Sequence, residues 1–228
     1  GKWSVTLDPL KASDKERDLV VSNNKDLITL SGVLVGEVWF SSGQSNMDWI
    51  AGKSMCRDLA NTLARSKDDV PIREFQVDTG SSLYPQSHTT AKDGWKRSKH
   101  ASGFSALSLA FAWKLHEELK VPIGIVRSTH GATPIETWVA YEGFADHPEL
   151  QHIALRIRQS KPSEADAQAA FTTYVKDLKD WQRNSARLIN RGGSALPRPR
   201  LPGIADDWKG ATRMFNRKIA PLIPYAIR

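Results

Sequence analysis

The chain has 228 residues, 40% of them hydrophobic and eight of them tryptophan, which is the composition of a globular protein with room for about one α/β domain. Its single cysteine, Cys56, excludes an internal disulfide and a zinc cluster built from cysteines. The formal charge is +7, but the basic segment from Arg191 to Arg200 is interleaved with Gly and Pro and not with stacking aromatics, so we expect no nucleic-acid partner. No apolar run approaches the roughly 20 residues that cross a bilayer, so we expect no membrane partner.

The first 35 residues predict antiparallel strands. Short runs rich in β-branched and apolar residues are separated by polar segments and by an Asn/Asp-rich turn, which is typical of strands joined by tight connections. The runs are Trp3–Leu7, Leu19–Ser22 and Leu27–Leu30.

The next stretch predicts a strand, a sharp turn and a helix. The apolar run from Val33 to Phe40 predicts a buried strand, and the glycine at Gly43 permits a turn with backbone angles closed to other residues. Ser45 then falls where a helix would begin, with its hydroxyl exposed and near the free N–H groups of the helix start, as a serine nucleophile requires. The alternative is that Ser45 merely caps a helix. The string is not the G-x-S-x-G elbow of α/β-hydrolases, because position 47 is Met47.

Further elements follow in alternation. Leu59–Arg65 can be helical, and Pro71–Val77 predicts a second strand of the sheet. Residues 78–103 are predicted to form a long polar loop, a kind of segment that in compact domains is functional or mobile. Trp95 in this loop could stack on a sugar, but a packed core tryptophan is an equal alternative.

The clearest predicted helix is Phe104–Leu119, capped by Ser102 or Ser105, and its large apolar residues fall on one stripe that we assign to the core. The stripe consists of Phe104, Leu107, Ala110, Phe111, Leu115 and Leu119.

A third strand, Val121–Val126, is short and apolar like a central parallel strand, and it leads into the loop Arg127–Trp138. A loop at the carboxyl end of a strand is where open α/β sheets place their ligands. Residues 141–190 then show helical spacing and predict a helical insertion, residues 191–209 predict irregular structure, and residues 211–219 predict a short helix.

Two of these segments resemble motif blocks of one enzyme family. The string Gly43-Gln44-Ser45-Asn46-Met47, preceded by Gly36-Glu37-Val38-Trp39, resembles the first block of the SGNH-type esterases and most of all that of the sialate O-acetylesterase branch. The loop after the third strand resembles the second block, in which a glycine N–H helps to form the oxyanion hole. Gly131 matches the first glycine of that block, Ala132 replaces the second, and His130 stands where the family commonly has Trp. An alanine still donates its N–H but adopts positive φ only at a cost.

The resemblance implies a fold and a set of site residues. The fold is an incomplete flavodoxin-like three-layer αβα domain over residues 33–228, with the insertion at about 141–190, preceded at 1–32 by the last strands of a β-sandwich. The implied reaction is removal of O-acetyl groups from a carbohydrate, from sialic acid or another glycan, without metal or cofactor. The implied nucleophile is Ser45, with Gly131 in the oxyanion hole, and the expected substrate-binding residues are Gln44, Asn46, His130 and Trp95.

The general base of the family is missing from the chain. In the family it comes from an Asp-x-x-His block, where the Asp orients the His that activates the serine. None of the six histidines has Asp three positions before it. His130 lies in the right loop to act as the base and stays an alternative on geometry, although by the resemblance its position is not that of the base. We therefore expect a second polypeptide that carries Asp-x-x-His, since mammalian members are described as two subunits from one precursor.

Two further expectations complete the interpretation. The resemblance implies a secreted, periplasmic or lysosomal location, although the chain shows no signal-peptide pattern. The substitutions at His130 and Ala132 leave open an alternative function, a non-catalytic carbohydrate-binding protein with a degenerate esterase site.

Overall fold

The computed structural model describes residues 5–23, 25–200, 209–225 and 227. They fall into two compact units. One contains the described residues within Gly1–Thr79, Thr90–Ala132 and Pro224–Arg228, and the other those within Gly80–Thr89 and Thr133–Ile223. The predicted domain boundary at residue 32 and the predicted insertion at 141–190 stay predictions.

The first unit begins with an antiparallel hairpin. Strand β1 (Ser13–Ser22) pairs with strand β2 (Leu27–Val35), with Ser22 opposite Leu27, so the predicted antiparallel pair is confirmed. The side-chain oxygen of Asn23 accepts hydrogen bonds from the backbone N–H groups of Lys25 and Asp26, both at 2.7 Å, and this closes the connection.

The predicted strand at Trp3–Leu7 is wrong in its described part. Val5–Leu7 have no regular structure, and Trp3 and Ser4 lie outside the described residues. An apolar run becomes a strand only where a neighbouring strand pairs with it, and no described strand pairs with these three residues.

The single buried strand predicted at Val33–Phe40 is also wrong, because Gly36 divides it between two sheets. Val35 ends β2 in the hairpin, and strand β3 (Glu37–Gly43) belongs to a second, four-stranded sheet. The chain passes so close to Pro122 at this point that a Cβ on Gly36 would lie 2.1 Å from the Pro122 carbonyl oxygen. Glycine is the residue that allows such an approach.

In the four-stranded sheet, β3 is followed by β6 (Ile123–Thr129), then β4 (Ile72–Val77), then β5 (Ala91–Arg97). Strands β4 and β6 are parallel to each other, and β3 is parallel to β6. Strand β5 runs antiparallel to β4 within the segment predicted to be a loop. That prediction is wrong there, because this edge strand is almost entirely polar and gives no hydrophobic alternation to detect.

Among the described residues, the first unit has three α-helices, α1 (Ser45–Asp48), α2 (Arg57–Arg65) and α3 (Ala106–Leu119), and two short 3-10 helices, Ala51–Lys53 and Ser98–Gly103. Ser105 caps α3, since its Oγ accepts a hydrogen bond from the Ser108 N–H. Helices α2 and α3 and the strands share one core of apolar side chains that includes Ala60, Leu63, Ile72, Leu109, Ala112, Ile123 and Ile125.

The core stripe predicted for Phe104–Leu119 is confirmed at Phe104, which is buried, and at Leu115, which packs against the core, but it is wrong for three other large residues. Leu107, Phe111 and Leu119 are exposed, while Leu109 and Ala112 are buried. Helix α3 has apolar residues on most of its sides, so two of its faces carry apolar residues at helical spacing. The spacing alone therefore does not determine which face is buried.

A buried ion pair lies in the same sheet. Arg127 on β6 is 3.5 Å from Glu74 on β4, and both side chains are 3% exposed. Glu74 also accepts a hydrogen bond from the Ser105 N–H at 2.9 Å, which ties β4 to the start of α3. Burial raises the pKa of the Glu74 carboxyl, and the Arg127 guanidinium opposes that rise.

The second unit is helical. It contains α4 (Glu142–Ala145), α5 (Gln151–Gln159) and α6 (Ala165–Ile189), and residues Phe215–Ile219 form one π-helical turn within the segment predicted to be a short helix. Its described core includes Phe144, Ala154 and Ile157. Among the helices of the described residues, none has the length and apolarity to span a membrane.

Candidate active site

The candidate site lies where β3 and β6 end side by side. Gly43, the last residue of β3, is opposite Thr129, the last residue of β6. Helix α1 begins two residues after the end of β3, at Ser45, and the loop His130–Ala132 follows β6. Both segments belong to the first unit.

A glycine makes the turn that presents Ser45. Gly43 has φ of +144°, and a Cβ there would lie 2.8 Å from the Met47 side chain, so another residue would be strained in this position. Ser45 is exposed at the start of α1, as the sequence predicts for a strand-to-helix turn. Gln44 holds it there, because the Gln44 side-chain oxygen accepts hydrogen bonds from the Ser45 N–H at 3.1 Å and from the Ser45 hydroxyl at 2.9 Å.

The loop after β6 brings a backbone donor to the serine. The His130 N–H donates to the Gly43 carbonyl at 3.1 Å, which aligns the loop with the turn. The Ala132 N–H donates to the Ser45 Oγ at 3.4 Å. A Cβ added to Gly131 would lie 3.7 Å from that oxygen, so the bare glycine leaves open space beside it. The hydrogen bond from the loop to the Ser45 Oγ therefore comes from the Ala132 N–H. The motif resemblance implied this role for Gly131.

Ala132 has the backbone conformation of a glycine. Its φ is +57°, in the left-handed region that alanine adopts only at a cost. The replacement of the second motif glycine has therefore not removed positive φ at this position.

We expect Ala132→Gly to stabilise the protein by up to about 1 kcal/mol, because relief of the left-handed strain outweighs the extra freedom of glycine in the unfolded chain. Urea unfolding of both proteins measures the difference. The matched control is Gly103→Ala, at a glycine whose φ lies outside the left-handed region. A variant less stable than the wild type would contradict the strain argument.

The other predicted site residues are not all at this place. Asn46 is exposed next to Ser45, and His130 is partly buried at the start of the loop. Trp95 lies in β5, with its ring centroid 5.5 Å from that of Phe75 and its ring against Gly124. Gly124 is five residues before Thr129 on β6, or about 16 Å at the usual rise of a strand.

The structure therefore does not bring Trp95 to Ser45. Trp95 instead borders a separate cavity of about 580 Å³, together with Arg73, Arg97 and Glu37. A stacking role for Trp95 at the serine has no support from this placement.

The described hydrogen bonds of the Ser45 hydroxyl include no base. Its hydroxyl oxygen has hydrogen bonds to Gln44 and to Ala132, and neither an amide oxygen nor an amide N–H can accept the serine proton. No cluster of His, Cys, Asp or Glu suited to a metal ion occurs within residues 5–23, 25–200, 209–225 and 227.

Comparison with known proteins gives relatives of one kind. No family model matches the chain. It is 30% identical over 148 residues to human sialate O-acetylesterase, an alignment that covers 60% of this chain and 28% of the human protein. The rat sialate O-acetylesterase is 30% identical over 154 residues, which is 60% of this chain and 27% of the relative. The chain thus spans less than a third of the length of the curated relatives it matches.

A solved structure extends the likeness to most of the chain. The crystal structure of a carbohydrate acetylesterase from Xanthomonas citri matches with a TM-score of 0.57 and 24% identity, covering 92% of this chain and 34% of that one. This likeness confirms the predicted α/β fold class. The chain is therefore similar to the sialate O-acetylesterases over 60% of its length and has an α/β fold shared with part of a carbohydrate acetylesterase.

Proposed function

We propose that this chain carries the nucleophile and part of the oxyanion hole of a serine esterase that removes O-acetyl groups from carbohydrates. The observation that carries the proposal is the exposed Ser45 hydroxyl with the Ala132 N–H 3.4 Å from its oxygen and bare Gly131 beside it. The names of the relatives, sialate O-acetylesterases and a carbohydrate acetylesterase, support the substrate class. The formal charge of +7 agrees with an acidic sugar as substrate.

In the proposed reaction the Ser45 Oγ attacks the carbonyl carbon of the acetyl ester. A base takes the hydroxyl proton and returns it to the sugar oxygen as the C–O bond breaks, which leaves an acetyl group on Ser45. Water, activated by the same base, then releases acetate. The N–H groups of Ala132 and Gly131 stabilise the negative oxygen of each tetrahedral intermediate. The Ser45 hydroxyl must first leave Gln44, to which it donates in the resting structure.

We propose that the base, an Asp-x-x-His pair, comes from a second polypeptide that pairs with β3. Strand β3 lies at an edge of the described sheet, so its outer N–H and C=O groups offer a template for a further strand. Beside it, the Trp39 indole N–H is buried without a hydrogen-bond partner among the described residues. Leu107 and Phe111 on α3 are 52% and 44% exposed, and Phe111 packs against Trp39 with the ring centroids 5.1 Å apart. These features support an apolar interface there.

Covalent labelling tests the proposal. A fluorophosphonate loses fluoride when an activated serine oxygen attacks its phosphorus, so we expect a single adduct on Ser45 when the protein is treated together with any polypeptide that co-purifies with it. Peptide mass spectrometry locates the adduct and identifies the second polypeptide. Ser102, which is also exposed, should stay unmodified. Absence of an adduct from a preparation that still binds acetylated sugar would favour the non-catalytic carbohydrate-binding function.

A further inference from the structure

A hydrogen bond between two side chains joins helix α1, which begins with Ser45, to the end of β6. Neither side chain contains an atom that reacts in the proposed hydrolysis. The Asp48 Oδ1 accepts a hydrogen bond from the Thr129 hydroxyl at 2.6 Å. Asp48 is the last residue of α1, and Thr129 is the last residue of β6 and 6% exposed. The two residues therefore fasten the helix that carries Ser45 to the strand that carries Gly131 and Ala132.

Two other described contacts between these segments constrain the serine less. The hydrogen bond from the His130 N–H to the Gly43 carbonyl holds the chain two residues before Ser45, and so does not fix helix α1 itself. The hydrogen bond from the Ala132 N–H to the Ser45 Oγ is long, at 3.4 Å, and must change when an ester binds. Helix α1 is a single turn, and an isolated turn has little stability of its own. A short hydrogen bond from a hydroxyl to a carboxylate is among the stronger neutral-to-charged contacts, so it can hold this turn in place.

The carboxylate has a cost at this position. Its second oxygen, Oδ2, lies 3.8 Å from the point where a Cβ on Gly131 would be, on the side that also faces the Ser45 Oγ. A negative charge there opposes the negative oxygen that forms during ester hydrolysis. The negative charge of Asp48 therefore does not help ester hydrolysis at Ser45. The hydrogen bond from the Thr129 hydroxyl is the contact that explains a hydrogen-bond acceptor at position 48.

We propose that Asp48 is a positioning residue, which through Thr129 sets the distance between the Ser45 hydroxyl and the backbone donors of the loop His130–Ala132. The kinetic part of this inference rests on the proposed esterase function. The structural part does not, because the contact holds the loop whether or not the serine reacts.

Four variants test it, and amide hydrogen exchange is measured on the purified chain. Asp48→Ala and Thr129→Val should each make the His130 amide exchange about tenfold faster, while the amide of Ile125, in the middle of β6, keeps its rate. Asp48→Asn should stay within about twofold of the wild type, because its amide oxygen can still accept from the Thr129 hydroxyl. Asp68→Ala, at an exposed loop aspartate, is the control and should change neither rate.

Esterase kinetics, measured on the chain together with the polypeptide that co-purifies with it, give a second readout. Asp48→Ala and Thr129→Val should lower kcat by about 10-fold to 100-fold with KM within about twofold, since a misplaced donor acts on the transition state. The double variant should be no worse than either single one, because both remove the same contact. Asp48→Asn should be at least as active as the wild type.

The outcomes separate this inference from the proposed function. An unchanged His130 exchange rate in Asp48→Ala overturns the positioning role, whatever the activity. Equal loss in Asp48→Asn and Asp48→Ala also overturns it, because the charge and not the acceptor would then matter. Full activity in Ser45→Ala would instead remove Ser45 as the nucleophile, on which the proposed function rests, and leave the exchange result standing.

Discussion

Ser45→Ala is expected to lower kcat for acetyl-ester hydrolysis by about 10³-fold or more, because the variant lacks the oxygen that attacks the ester. The neighbouring donors remain, so the residual rate reflects what the oxyanion hole and binding contribute without a nucleophile. The fold should be unaffected, since the Ser45 hydroxyl is exposed and its described partners are the adjacent Gln44 side chain and one long contact to Ala132. Hydrolysis of p-nitrophenyl acetate and of an O-acetylated sugar, by the chain together with the polypeptide that co-purifies with it, measures the effect.

The control for this variant is Ser102→Ala, another exposed serine of the same unit, which should keep full activity. Circular dichroism and the urea midpoint of both variants should match the wild type. If Ser45→Ala retained more than about a tenth of the wild-type kcat, another group would have to be the nucleophile. The resemblance of the Gly43–Met47 string to the esterase motif would then not identify the nucleophile of this protein.

The position of Ser45 could be predicted because it depends on local chemistry. A buried apolar strand must stop where polar residues begin, and Gly43 permits the sharp turn that the structure shows with φ of +144°. The serine after such a turn is exposed whatever the rest of the chain does. The loop after β6 was predictable for a similar reason, since a short apolar strand ends there and parallel strands align their carboxyl ends.

Features that depend on distant neighbours could not be predicted in this way. Strand β5 is polar apart from Ala91 and Trp95, and it is a strand because β4 offers it a free edge. The face of α3 that enters the core is chosen by the shape of the sheet, since Leu107 and Leu109 are equally apolar. The Glu74–Arg127 pair joins two strands that are 53 residues apart in sequence, and nothing local marks either residue as buried.

Ala132 shows how tertiary contacts override a local preference. From the sequence, an alanine in place of the second motif glycine argues against a glycine-like loop, because left-handed backbone is costly for it. The structure keeps φ of +57° there, with the Ala132 N–H on the Ser45 oxygen. The contacts that fix this loop, among them Asp48 with Thr129 and His130 with Gly43, must supply the energy that holds the strained residue in place.

Gly36→Ala is expected to destabilise the first unit by about 3 kcal/mol or more, because the new methyl group has no space. It would lie 2.1 Å from the carbonyl oxygen of Pro122 and 2.8 Å from its carbonyl carbon, which are backbone atoms and cannot rotate away. The strands must separate at this point, so the hydrogen bond from the Glu37 N–H to the Pro122 carbonyl, 3.0 Å in the structure, is also lost. Gly36 joins β2 to β3, and a shift there displaces the strand that leads to Ser45.

Gly103→Ala separates this steric effect from the general effect of replacing glycine. A Cβ on Gly103 meets no atom within 4 Å, and its backbone lies outside the left-handed region, so its stability should change by less than about 0.5 kcal/mol. Urea denaturation followed by tryptophan fluorescence compares both variants with the wild type, and Trp39 on β3 is one of the eight tryptophans that contribute to the signal. If the two variants had equal midpoints, the close approach of Gly36 to Pro122 would not exist in solution, and the break between β2 and β3 would need another cause.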